Sequence, residues 1–143
     1  MTLQMDKALA DEIARLGERG YPHEVCGLLL GRFEAGADRT VMGLFPLDNE
    51  RVDSRTNRYA VSAGSMLAGE RHATRAGLDV VGYYHSHPDA PAEPSGYDLE
   101  HATWPGVSYP IVSVLQGTAA GLRSWTLADD RLTFEEEPIS TDI

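Results

Sequence analysis

His85, Ser86 and His87 close an apolar run, Val80-Val81-Gly82-Tyr83-Tyr84, and precede Pro88, Pro91 and Pro94, then Ser95 and Asp98. The run reads as a buried strand, in which residues two apart point the same way. His85 and His87 therefore present two imidazoles in one direction at the strand's end. The three prolines forbid a regular ladder or helix through the middle of the stretch. Ser95 and Asp98, three apart, share one face of the first turn of a new helix. Two histidines and an aspartate, from a strand end and a helix start, are three ligands for a zinc ion. A fourth position is left for water, which is the arrangement of a catalytic site. The plainer role of Ser95 as a helix cap, with Asp98 as its capping-box partner, is compatible with ligation.

A hydrolytic zinc site needs a general base near its water. The candidate is Glu24, which precedes the apolar run Val25 to Leu30, a central strand by composition. Taken alone, Glu24 reads as a solvated strand end; beside a zinc site it reads as the base. His23 reads as a surface or outer residue, and Cys26 as a small buried hydrophobe rather than a nucleophile. His72 and His101 fall on predicted helices and read as surface residues.

The elements that must position these groups are read from periodicity. Met5, Leu9, Ile13 and Leu16 form one stripe of an amphipathic helix over 5–19, stopped by Gly20 with Pro22 beyond. A turn over 34–38 leads to a strand over 40–47. The polar loop 48–57 carries Arg51 and Arg55, with Arg58 just beyond, basic exceptions on an acidic chain, and Tyr59-Ala60-Val61 is a short strand. Ser62 caps a helix over 63–76 ended by Gly77, with Met66, Leu67, Ala73 and Ala76 as its buried positions. The helix begun near Ser95 runs to Trp104, before Pro105-Gly106. Strands are expected over 110–115, 122–127 and 132–136, with a turn over 117–121 and a frayed acidic tail.

The 143 residues suit one domain, 1–143, with a substantial core. A net charge of −10 and a pI of about 4.8 argue against nucleic acid or an anionic membrane as partner. No apolar run reaches membrane-spanning length and no signal peptide is visible. The single cysteine excludes an internal disulfide and fits a reducing compartment, so a cytoplasmic protein is expected.

Glu24 within HEVCGLLLG, then HSHPDAPAEPSGYD further along, resembles the JAMM (MPN+) family of zinc metallopeptidases. The resemblance spans nearly the whole chain. It implies a mixed α/β fold, a curved sheet with helices against it, related to the cytidine-deaminase fold. By position it implies His85, His87 and Asp98 as ligands of Zn2+, Glu24 as acid/base and Ser95 as an oxyanion stabiliser. Every motif position is filled, which disfavours the inactive scaffold branch. The short chain lacks the insertions of the family's eukaryotic deubiquitinases and is more similar to its stand-alone prokaryotic members. Some of these process ubiquitin-like sulfur-carrier proteins with a Gly-Gly tail, and that tail is the implied substrate. A diglycine suits a narrow groove and could be held by strand addition to a sheet edge. Two other classes stay open: a zinc-bearing module that holds such a tail without cutting it, and another zinc hydrolase such as a nucleoside deaminase. Glu24, which metal binding alone does not require, speaks against the first. The missing Pro-Cys-x-x-Cys pairing speaks against the second.

Overall fold

The computed structural model describes residues 2–49, 62–102 and 104–141. The expected strand 59–61 and the basic positions Arg51, Arg55 and Arg58 lie outside them. In chain order the elements are β1 (Leu3–Gln4), α1 (Lys7–Gly20), β2 (Cys26–Phe33), β3 (Arg39–Leu47), α2 (Ala63–Arg75), β4 (Asp79–Pro88), α3 (Gly96–His101), β5 (Ser108–Leu115), β6 (Thr118–Leu127), β7 (Phe134–Glu137) and β8 (Ile139–Ser140). One sheet takes all eight strands in the order β7-β6-β5-β4-β2-β3-β1-β8.

Strand β4 lies inside the sheet, antiparallel to β2 and parallel to β5. Its pairing with β2 slips between Leu29 and Leu30, because Val81 is an extra residue between Val80 and Gly82. Such a bulge reverses the facing of the residues beyond it. Val81 packs in the core under α1, and after the bulge Tyr84 does too. Ser86 points the same way, its Cβ lying 3.5 Å from where a Cβ on Gly17 of α1 would sit. Tyr83 instead packs toward α2 with Leu28, Leu30 and Ala73. His85 and His87, two and four residues on, share that face with Tyr83. Gly82 is required at the bulge: a Cβ there would lie 2.3 Å from the carbonyl oxygen of Ser108 on β5.

Helix α1 is capped by Asp6, whose carboxylate accepts from the Leu9 N–H at 2.9 Å. Its stripe lies where the sequence puts it, with Ile13 buried and Leu9 and Leu16 packed against the same core. On α2, capped by Ser62 as expected, Ala73 is buried and Met66 half-buried. Leu67 and Ala76, expected to be buried, are exposed.

The acidic tail, expected to be frayed, is ordered in strands through Ser140. Glu137 ends β7 at one sheet edge, and after Pro138 the chain enters β8 at the other, pairing parallel with β1. The curved sheet is thus nearly closed, one residue joining its two edges. Inside the join lies Arg39, 2% exposed. It donates to Glu137 at 3.2 Å and to the Gly106 carbonyl at 2.7 and 3.0 Å, while Ser124 donates to the other Glu137 oxygen at 2.8 Å. The expected turn over 117–121 is also shorter, because Thr118 already pairs with Leu115 and β6 starts there.

Removing one member of a buried ion pair leaves the other charge stranded in low dielectric. Arg39→Ala is therefore expected to lower unfolding free energy by about 3–5 kcal/mol in a denaturant titration. A loss below about 1 kcal/mol would show that the pair does not hold the sheet edges together.

Candidate metal centre

Histidines 85 and 87 leave the end of β4 flanked by strands on both sides. His85 is opposite Cys26 of β2 and Ile111 of β5, and His87 opposite Ser113. Both are buried, and their Nε2 atoms stand 3.1 Å apart. Asp98, in the first turn of α3, completes the cluster. Its Oδ2 lies 3.0 Å from His87 Nε2 and its Oδ1 3.3 Å from His85 Nε2.

The local sequence of α3 holds that carboxylate in place. Ser95 Oγ accepts from the Asp98 N–H at 3.1 Å, and the Ser95 N–H donates to Asp98 Oδ2 at 2.8 Å. The capping-box acid and the proposed ligand are thus the same residue. Helix α3 ends at His101, shorter than the sequence suggests.

Proton accounting shows what the cluster lacks. His87 Nδ1 lies 2.9 Å from the Pro91 carbonyl, which only accepts, so Nδ1 carries the proton. In a neutral ring, Nε2 then turns a lone pair toward the Asp98 carboxylate. Only a proton or a cation between them makes that arrangement favourable. Burial lowers the His87 pKa, but bonds to Asp98 and Pro91 outweigh it and the net shift is upward. Burial likewise raises the Asp98 pKa, but the bonds from His85 and His87 outweigh it and hold the carboxyl well below its usual range.

A metal ion satisfies the same lone pairs. Tetrahedral zinc with ligands at 2.0–2.1 Å separates them by about 3.3 Å. The 3.0–3.3 Å spacings here match that value, and two imidazoles with a carboxylate suit zinc chemically.

Glu24 is 3% exposed, and one of its carboxylate oxygens lies with a ring nitrogen of each histidine within a 4.8 Å group that could itself hold a metal. Its backbone is fixed from two sides. Asn49 donates to the Glu24 carbonyl at 3.0 Å. Ser86, between the two histidines, binds Val25 twice: its Oγ accepts from the Val25 N–H and its N–H donates to the Val25 carbonyl, both at 2.9 Å. The residue separating the histidines thus ties Glu24 to their strand. Neither Ser86 nor Asn49 carries a sequence signal for this.

The remaining candidates sort plainly. Cys26 is buried, and burial, then the Glu24 and Asp48 carboxylates, push its thiol up to about 12. It is a protonated hydrophobe, not a nucleophile. His23 and His72 are exposed. His101 is exposed as well, but stacks on Tyr97 at 3.9 Å and lines a cavity of about 370 Å³. Tyr83, Tyr97, Trp104, Tyr109 and Phe134 give that cavity an aromatic lining, with His85 and Asp98 in its wall. No helix among the described residues is long and apolar enough to cross a membrane.

A bulged strand ending in two buried imidazoles, faced by a helix-borne carboxylate and a buried glutamate, is an arrangement able to hold a metal ion of the kind hydrolases use. Residues 6–128 match the family described as prokaryotic homologs of the JAB domain. The chain is 40% identical over 101 residues to a desampylase of Haloferax volcanii, covering 70% of each chain. It is 31% identical over 132 residues to the CysO-cysteine peptidase of Mycobacterium tuberculosis, covering 92% of this chain and 86% of that one. A solution structure of a protein from Salinibacter ruber superposes with a TM-score of 0.78 at 45% identity, covering 95% of this chain and 89% of the other. The chain therefore belongs to the prokaryotic JAB-domain branch of the JAMM/MPN+ peptidases.

The cluster's protons predict opposite pH responses without and with metal. Because the His87 pKa is raised from 6.5, its stabilisation of the metal-free fold is complete below that value and fades as pH rises through the folded pKa. Because the Asp98 pKa is lowered from 3.8, its contribution is present above that value and is lost as pH falls through the folded pKa. A zinc ion held by His87 Nε2 would have to displace that proton, so zinc affinity is expected to rise about tenfold per pH unit until the proton is gone. Chelator-competition titrations between about pH 5 and 8 measure this, and a flat profile would contradict the protonated cluster.

Proposed function

We propose that this domain, residues 1–143, is a zinc peptidase. It would cleave the peptide or isopeptide bond after the C-terminal diglycine of a ubiquitin-like, sulfur-carrier-type protein. The observation that carries the reading is the buried Glu24 carboxylate within 4.8 Å of ring nitrogens on both His85 and His87, with Asp98 against the same histidines. In this reading His85, His87 and Asp98 hold the metal, which leaves Glu24 as the acid/base. Relatives named for desampylation and for CysO–cysteine cleavage support the substrate class. The buried, reduced Cys26 fits a cytoplasmic setting.

A bound zinc ion would supply water acidified toward neutral pH and positive charge for the substrate carbonyl. Glu24 accepts the attacking water's proton and returns it to the leaving amine as the C–N bond breaks. Ser95 Oγ accepts from Asp98 N, so its own O–H is available to donate to the carbonyl oxygen as charge develops there. Two features suit an extended tail. Beyond Thr40, β3 has no strand partner on its outer side among the described residues, and its end at Leu47 lies opposite Cys26, two residues from Glu24. The aromatic cavity beside Asp98 has room for a side chain upstream of the two glycines.

Glu24→Gln tests the assignment, because it keeps size and hydrogen bonding but removes the base. Cleavage of a diglycine-tailed fusion should fall by about 10²–10⁴-fold with zinc content and tail binding preserved. Unchanged cleavage would remove Glu24 from the mechanism, and lost zinc would make it a ligand. Tail binding without cleavage by the unmutated protein would favour a binding module.

A further inference from the structure

Between Pro88 and Ser95 the chain crosses from β4 to α3 without forming a regular element. Three successive carbonyls in this crossing are nevertheless each taken by a different donor. The Ala90 carbonyl accepts from Ser113 Oγ at 2.6 Å, Pro91 from His87 Nδ1 at 2.9 Å, and Ala92 from the Trp125 indole N–H at 3.0 Å. Arg123, two residues before Trp125 and on the same face of β6, pairs with Glu93 at 3.0 Å. Its guanidinium lies 4.8 Å from the Trp125 ring centre and also bonds Glu136 at 2.8 and 2.9 Å.

These donors do different jobs. His87 spends its Nδ1 proton on Pro91, which fixes the tautomer and tilt of a ring whose Nε2 faces Asp98. The Pro91 carbonyl can do so only if it is itself held still. Ser113 on β5 and Trp125 on β6 grip the carbonyls immediately before and after it. Both grips come from the sheet rather than from the loop, so the loop takes its shape from the strands beside β4. That shape sets where Ser95 and Asp98 begin α3.

We propose that Ser113 and Trp125 are positioning residues of the metal centre, gripping the Ala90 and Ala92 carbonyls so that His87 and Asp98 converge on one ion. The inference rests on the metal reading above, not on the substrate. Groups that orient ligands in this way are worth about 10–100-fold in metal affinity.

Trp125→Phe keeps a ring beneath Arg123 and removes the donor; Ser113→Ala removes one hydroxyl. Zinc affinity is measured by chelator competition at fixed pH, with folding checked by far-UV circular dichroism. Ile13→Val, which loosens the core beneath α1 away from the loop, is the control. Each loop variant should bind zinc about 10-fold more weakly, and Ile13→Val should bind as the unmutated protein does. Unchanged affinity in both folded loop variants would overturn the proposal, as would an equal loss in Ile13→Val, since the effect would then be general loosening. Should Trp125→Phe not fold, Ser113→Ala decides alone. If the unmutated protein takes up no zinc, the metal reading and this inference fall together. If it binds zinc but cleaves no diglycine fusion, only the peptidase reading falls.

Discussion

His87 Nε2, its ring's Nδ1 proton committed to the Pro91 carbonyl, faces the Asp98 carboxylate at 3.0 Å and lies 3.1 Å from His85 Nε2, an arrangement that favours a proton or a cation among them. The elements around this cluster hold that approach in place. β4 is fixed between β2 and β5, so the histidines cannot swing apart without breaking ladders on both sides. The bulge at Val81 sets their facing, and Gly82 lets β5 approach close enough to lock it. The capping box of α3 brings the carboxylate to them. Burial disfavours a charged His87, but the bonds to Asp98 and to the Pro91 carbonyl outweigh it and raise its pKa.

The same logic assigns the two carboxylates. Asp98 lies close to a histidine nitrogen through each oxygen, and its helix turn constrains it. Glu24 comes from the entry to β2, through a backbone clasped by Ser86. In the proposed reading one carboxylate would fill the ligand set and the other would stand beside it to move protons. A fold that supplies both from different elements can tune them separately.

Much of this was legible before the fold. The apolar run 80–84 gives β4, the two-residue spacing of His85 and His87 gives their shared direction, and the Ser95–Asp98 spacing gives the start of α3. Glu24 gains meaning only beside that motif. What escaped the sequence is tertiary in origin. The strands Leu3–Gln4 and Ile139–Ser140 are two residues long and show no period, and they exist because each completes the other's ladder. The acidic tail reads as frayed because the buried partner of Glu137, Arg39, is 98 residues away. Ser86, Asn49 and Trp125 are ordinary polar or aromatic residues in sequence, and their roles come from the backbone groups the fold sets opposite them.

The central proposal is that His85, His87 and Asp98 share one metal ion while Glu24 stays out of the ligand set and acts as a base. Anomalous diffraction at the zinc edge from zinc-loaded crystals tests it directly. We expect one peak per chain, bonded to both Nε2 atoms at about 2.0–2.1 Å and to an Asp98 oxygen, with Glu24 outside direct bonding distance. A peak bonded to Glu24, with Asp98 withdrawn, would contradict it.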